Sequence, residues 1–95
     1  MRNRQRRRAM YDMILTLSSY EECCDFFDDL CTGKELEALE QRFEVAMMLS
    51  QNKVYLDIMK STGASSATIS RVKRMLSDGT GCLREKIRKS LDEEE

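Results

Sequence analysis

The stretch KVYLDIMKSTGASSATISRVKRML, residues Lys53–Leu76, decides the fold of this chain. Its residue order fits two short helices separated by a tight turn. In the second helix Ile69, Val72 and Leu76 recur at three- and four-residue steps, so they share one face that would pack inward. The pattern predicts a helix-turn-helix over about residues 54–76.

The charge of this stretch differs from that of the whole chain. The 95 residues include 16 basic and 17 acidic residues, a net charge of -1, which by itself does not indicate a nucleic-acid partner. Residues 53–76 contain five basic residues and one acidic residue, a local charge of about +4. Acidic residues collect in residues 20–31 and 92–95 instead. This segregation is typical of a protein with one face for DNA.

The second helix of the motif begins with small and hydroxylated residues, which would let its backbone approach a duplex. Such side chains can contact base edges, thymine methyl groups or phosphates, while basic side chains bind phosphates. Gly63 would allow the reversal between the helices, and Ser65 or Ser66 would cap the second one. The predicted DNA-binding residues are Lys53, Lys60, Ser65, Ser66, Ala67, Thr68, Ser70, Arg71, Lys73 and Arg74.

Length and composition predict one small all-α domain over residues 9–95. The chain has no proline and four glycines, which favours helices, and a domain of this size buries only roughly 60 to 65% of its unfolded surface. A second subunit would therefore help. Residues 1–8 carry five arginines and are predicted to form a disordered basic arm. This arm is either a solvated tail or a segment that contacts phosphates.

Four further helices are predicted around the motif. Residues 9–18 are amphipathic, and capping-box pairs at Ser19/Glu22 and Thr32/Glu35 open the next two helices. The apolar stripes are Cys23, Phe26, Phe27 and Leu30 in the second helix, Leu36, Leu39, Phe43, Ala46 and Met47 in the third, and Leu83, Ile87 and Leu91 in the last.

The third helix is apolar on more than one face, because Val45, Met48 and Leu49 add to its main stripe. A helix with such a wide apolar surface favours burial against both its own subunit and a second one. A central core helix of a monomer would have a similar pattern.

Other classes of site lack their usual residues. There is no histidine, and the four cysteines form no C-x-x-C pair, so we expect reduced packing cysteines and no metal. The acidic cluster of residues 25–29 is interpreted as a solvated face. No nucleophile with an evident base and no cofactor loop is present, so an enzyme is not expected. No window approaches the roughly 20 apolar residues of a membrane span, and we expect a cytoplasmic protein with no membrane partner.

The chain resembles the Trp repressor superfamily and, within it, the YerC/YecD-type branch of small bacterial proteins. The resemblance covers most of the chain and is most specific in TGASSATISRVKRML, Thr62–Leu76. It also includes EECCDFFDDLCT, Glu21–Thr32, and ELEALEQRFEVAMML, Glu35–Leu49. It implies an all-α, Trp-repressor-like fold in an intertwined homodimer. The two recognition helices would enter the major groove about one DNA turn, roughly 34 Å, apart on a palindromic site.

The resemblance also implies a possible effector pocket formed by Arg42, Arg71 and Val72. The Trp repressor clamps tryptophan between its central and recognition helices, and Arg42 and Arg71 match its two ligand-holding arginines. Val72 replaces the glycine against which the indole lies, which argues against tryptophan, and no other cofactor is indicated. In the alternative interpretation Arg71 contacts phosphate and Arg42 makes an ion pair or a surface contact.

The leading prediction is a homodimeric, sequence-specific DNA-binding transcription regulator. Sparse long side chains at the start of the recognition helix would shift specificity toward water-mediated contacts and DNA shape. The alternative is a protein-interaction adaptor that keeps the fold without specific DNA binding, which the near-zero net charge and the acidic second helix would suit.

Overall fold

The computed structural model describes residues 4–93, and within them the protein is helical without a β-strand. A short 3-10 turn over Gln5–Arg7 leads into six α-helices. They are α1 (Arg8–Ile14), α2 (Tyr20–Leu30), α3 (Gly33–Ser50), α4 (Tyr55–Thr62), α5 (Ser66–Asp78) and α6 (Cys82–Glu93). The predicted all-α fold class is confirmed.

The basic N-terminal segment has more regular structure than its charge suggested. Residues 1–8 were expected to form a disordered arm, but the 3-10 turn begins at Gln5 and α1 begins at Arg8, while residues 1–3 lie outside the described residues. One ion pair accounts for part of the difference, because Arg8 Nε lies 3.4 Å from a carboxylate oxygen of Asp12 one helical turn away. A phosphate-binding role for this segment stays a prediction.

The predicted capping box is present at the start of α3, and at the start of α2 Ser19 is the N-cap while Glu22 bonds to the residue before it. The Oγ of Ser19 accepts a hydrogen bond from Glu22 N at 3.1 Å, and the Glu22 carboxylate accepts one from Ser18 N at 2.9 Å. Thr32 and Glu35 bond reciprocally, at 2.8 Å from Thr32 N to Glu35 Oε1 and at 3.2 Å from Glu35 N to Thr32 Oγ1. These bonds satisfy amide groups that a helix start otherwise leaves unpaired.

The chain divides into two compact units, one up to Leu36 and one from Glu37 onward. Among residues 4–93, the buried side chains all belong to the second unit. They come from α3, the helix-turn-helix and α6, and they are Val45, Ala46, Ile58, Ala64, Ile69, Val72 and Ile87. This core holds the two helices of the motif against the end of α3 and against α6.

Several predicted inward residues are exposed in the single chain. Leu39 and Phe43 of α3 are 47% and 51% exposed, and Leu83 of α6 is 40% exposed. Cys23, Cys24 and Cys82 are exposed, so the expectation that these cysteines pack does not hold within one chain, while their reduced state stays a prediction. Helical periodicity identifies an apolar face but not which molecule covers it.

The first helix is shorter than predicted, ending at Ile14 instead of residue 18. The Thr16 hydroxyl donates to the Met13 carbonyl at 2.6 Å, and the backbone then closes with the tighter bonds Thr16 N to Met13 O and Leu17 N to Ile14 O. A hydroxyl that bonds to its own backbone competes with the helical ladder, which explains the early stop.

Candidate nucleic-acid interface

Helices α4 and α5 lie on either side of a three-residue turn, residues 63–65. Gly63 has φ of +74°, the left-handed conformation of a helix C-cap, and its N–H donates to Met59 O at 2.9 Å. The Thr62 hydroxyl donates to Ile58 O at 2.7 Å and accepts from Ala64 N at 3.1 Å. The turn is therefore held by its own backbone and one hydroxyl.

Gln41 of α3 fixes this turn to the rest of the second unit. Its side-chain Nε2 donates to the carbonyl oxygen of Thr62 at 3.0 Å across 21 residues of sequence. That carbonyl lies at the end of α4, where the helix offers no backbone partner. Gln41 could not be predicted from the sequence, because a single glutamine on a charged helix has no pattern that distinguishes it from a solvated residue.

The start of α5 presents small hydroxylated side chains. Of the two predicted caps, Ser65 and Ser66, the N-cap is Ser65. Its Oγ accepts a hydrogen bond from Thr68 N at 3.2 Å and donates one to Thr68 Oγ1 at 3.1 Å. Ser66 and Ala67 are exposed, and Thr68 is half-buried. Ser70 is exposed and its Oγ lies 3.4 Å from the Tyr55 hydroxyl of α4, which links the two helices.

One face of α5 packs in the core and the other is exposed to solvent. Ile69 and Val72 are buried at 0% and 2% exposure, while Arg71, Lys73 and Arg74 are exposed. Lys53, just before α4, and Lys60 within α4 are exposed as well. Within residues 4–93, the ion pairs join Arg8 to Asp12 and Arg88 to Glu85 and Asp92, and they involve none of these five cations. No ion pair within the described residues therefore neutralises their charge.

The ten predicted DNA-binding residues all lie on the motif or in the turns beside it. Lys53 precedes α4, Lys60 lies near the end of α4, and the remaining eight occupy the cap and first nine residues of α5. Their contacts with DNA stay predictions.

The predicted effector residues separate into two exposed arginines and one core residue. Arg42 is exposed on α3, and none of the ion pairs in the described part of the chain includes it. Val72 packs in the core with Ile58 and Ile69, so its side chain occupies space within the protein and is not open to a ligand. An effector role for Arg42 and Arg71 stays a prediction.

Residues 4–93 contain neither a membrane-spanning helix nor a cluster of metal ligands. No helix there is long and apolar enough to cross a membrane. In the same residues, no group of three or more histidine, cysteine, aspartate or glutamate side chains is placed to hold a metal ion.

The family model of the Trp repressor protein matches residues 5–91. YerC from Bacillus subtilis (strain 168), an uncharacterised protein, is 54% identical over 70 residues, which is 74% of this chain and 67% of YerC. The crystal structure of a TrpR-like protein from Eubacterium eligens covers 90% of this chain and 88% of its own, with 45% identity and a TM-score of 0.85.

A Trp repressor candidate from Staphylococcus aureus is similar as well, with 46% identity and a TM-score of 0.81 over 86% of this chain and 82% of its own. Trp repressor proteins are regulators, which confirms the prediction that the chain is not an enzyme. The family match spans nearly the whole chain, including α4 and α5. The chain belongs to the Trp repressor family.

Proposed function

We propose that this chain is a cytoplasmic, homodimeric transcription regulator that binds specific sites on double-stranded DNA through α4 and α5. The observation that carries the proposal is the surface of the motif. Five exposed cations, which form no ion pair within residues 4–93, lie on or beside the two helices of the motif, and α5 begins with small, mostly hydroxylated side chains. Such a surface suits a phosphate backbone together with a nearby groove.

The two kinds of residue would have different tasks. Lys53, Lys60, Arg71, Lys73 and Arg74 would bind phosphates, which supplies affinity independent of sequence. The hydroxylated residues of α5 would face base edges. The Thr68 hydroxyl suits this task, because its oxygen accepts a bond from Ser65 Oγ and its own proton remains available to an acceptor on DNA.

Exposed apolar residues on α3 support the homodimer. Leu39 and Phe43 lie one helical turn apart and are about half exposed, which is unusual for large apolar side chains on a central helix. A two-fold dimer would bury this face against its symmetry mate. It would also provide two α5 helices, as a site with two half-sites about one DNA turn apart requires.

A salt series tests the proposal. Fluorescence anisotropy of labelled genomic fragments, measured at several salt concentrations, should give a preferred palindromic site and an affinity that falls steeply with salt. The expected slope of log affinity against log salt is about -0.9 for each phosphate neutralised. If micromolar protein at low salt leaves all fragments unbound, DNA binding is excluded and the protein-interaction adaptor becomes the better hypothesis.

Two matched variants test the division of tasks. We expect Arg74→Ala to weaken binding to every fragment by a similar factor and to reduce the salt slope by about one, because it removes a phosphate contact. We expect Thr68→Ala to change the preference among fragments, since a lost base contact costs about 1–3 kcal/mol at the preferred base only.

The control is Lys89→Ala, which removes an exposed cation of α6 outside the motif and should leave the salt slope unchanged. A uniform loss at all fragments for both Arg74→Ala and Thr68→Ala would contradict the division.

A further inference from the structure

An open cleft of about 800 Å³ lies where the end of α3, the second half of α5 and α6 meet. Three half-buried side chains form its apolar lining, Leu49, Leu76 and Leu91, one from each helix. Its charged lining consists of the cations Lys73, Arg84 and Arg88 and the carboxylate Asp92. The volume falls within the roughly 300–1,000 Å³ typical of sites for small molecules.

The cations of the cleft are not equally compensated. Arg88 is paired with Glu85 at 3.0 Å and with Asp92 at 2.9 Å, and these carboxylates raise its pKa, mainly through the hydrogen bonds that Arg88 donates to Glu85. Lys73 and Arg84 take part in none of the ion pairs found in residues 4–93. The cleft therefore combines an apolar lining with two uncompensated positive charges.

We propose that this cleft is a binding site for a small organic anion, a carboxylate or phosphate attached to an apolar body. The apolar body would cover the three leucines, and the anionic group would lie between Lys73 and Arg84. An uncharged apolar occupant fits less well, because it would remove these cations from water without providing a partner.

This site differs from the effector pocket predicted from the family resemblance. It involves neither Arg42 nor Arg71, and Val72 faces the core. On α5 it uses Lys73, Leu76 and Ser77, which lie later in the helix than the residues proposed to contact bases.

A ligand bound at this site would weaken DNA binding, a consequence that rests on the proposed function. Lys73 is one of the cations proposed to bind phosphate. A bound anion would neutralise that charge and add its own negative charge beside α5, so it would weaken DNA binding. The ligand would act as an inducer that releases DNA, in contrast to a corepressor.

A matched pair of probes tests the site on the full chain. Octanoate and 1-octanol share an eight-carbon chain and differ in the carboxylate. Titrations followed by two-dimensional amide NMR should move the signals of Leu76, Ser77 and Leu91, and octanoate should bind at least about threefold more tightly than octanol. Equal affinity for the two probes, or shifts that lie outside the cleft, would overturn the proposal.

Matched variants on α6 then identify the charge. We expect Arg84→Gln to weaken octanoate binding about three- to tenfold and to leave octanol binding unchanged. Lys86→Gln, the same change of charge at an exposed position outside the cleft lining, should bind both probes as the wild type does. Unchanged octanol binding by Arg84→Gln also reports an intact fold. Octanoate binding that is insensitive to Arg84→Gln would overturn the anion site.

The probe titration and the DNA titration can fail separately. Octanoate should lower affinity for the preferred DNA fragment, with acetate at equal ionic strength as the control. A protein that binds octanoate in the cleft but binds no DNA would retain the site and lose the proposed function. A protein that binds DNA but shows no octanoate shifts, as when a second copy fills the cleft, would lose the site and retain the function.

Discussion

Gly63 determines the geometry of the motif at the scale of a single residue. Its φ of +74° allows the chain to leave α4 and enter α5 within three residues. A side chain at this position would have space, because an added Cβ would lie 3.9 Å from the nearest atom, Gln41 Nε2. The requirement for glycine is therefore one of backbone conformation and not of packing.

We expect Gly63→Ala to lower the free energy of unfolding by about 1–2 kcal/mol, because an L-residue is strained in the left-handed region. Urea unfolding at a fixed protein concentration measures this. Gly33→Ala is the control: an added Cβ at Gly33 meets nothing within 4 Å and its φ is not positive, so helix propensity should leave stability equal or slightly higher. Equal losses for both variants would contradict the conformational argument.

The residues that could be predicted from the sequence are those with local signals. Gly63 follows an apolar helix and precedes the cap at Ser65, a pattern contained within a few residues. The buried positions Ile69 and Val72 follow from helical period. Gln41 could not be found in this way, because its partner, the Thr62 carbonyl, becomes a neighbour only when α3 packs beside the motif.

At the scale of the helix, the start of α3 is coupled to the protonation of Glu35. The backbone N–H of Thr32, and after it the Thr32 side chain, hydrogen-bond the Glu35 carboxylate and hold its pKa below the usual value. Because the pKa of Glu35 is lower in the folded state, its carboxylate stabilises the fold at pH values above the ordinary glutamate pKa. This contribution disappears as the pH falls through the lowered pKa.

We expect Thr32→Ala to raise the pKa of Glu35 toward its usual value but not to reach it, because the backbone N–H remains as a donor. A pH titration of the Glu35 carboxyl carbon by NMR measures the change. Ser19→Ala removes the corresponding side chain from the start of α2 and should leave the Glu35 pKa as it is. An unchanged Glu35 pKa in Thr32→Ala would show that the side chain has no part in the shift.

The starts of the helices were easier to predict than the exposure of their side chains. Capping pairs specify the first residues of α2 and α3 because the bonding atoms are three residues apart. Exposure depends on what packs against the finished helix. The periodicity of α3 placed Ala46, Leu39 and Phe43 in one apolar stripe. Ala46 is buried, whereas Leu39 and Phe43 remain about half exposed in the single chain.

At the scale of the whole molecule, these exposed residues are the ones that the proposed homodimer would cover. Leu39 and Phe43 project from the helix that also supplies the buried residues Val45 and Ala46. One helix would then serve two cores, its own and one shared with a partner. In a two-fold interface each residue of this face occurs once in each subunit, so one substitution changes the interface at two symmetric positions.

We expect Phe43→Glu to convert the protein from a dimer to a monomer, because it places two carboxylates, one from each subunit, in an apolar interface. Sedimentation velocity measures this, with wild type near twice the chain mass of 11.1 kDa and the variant near that mass. Leu56→Glu makes the same kind of change at an exposed leucine of α4 and should remain dimeric. A Phe43→Glu variant that sediments as wild type would place the dimer contact elsewhere. Loss of DNA affinity in the monomeric variant would further connect the α3 face to the two-site geometry of binding.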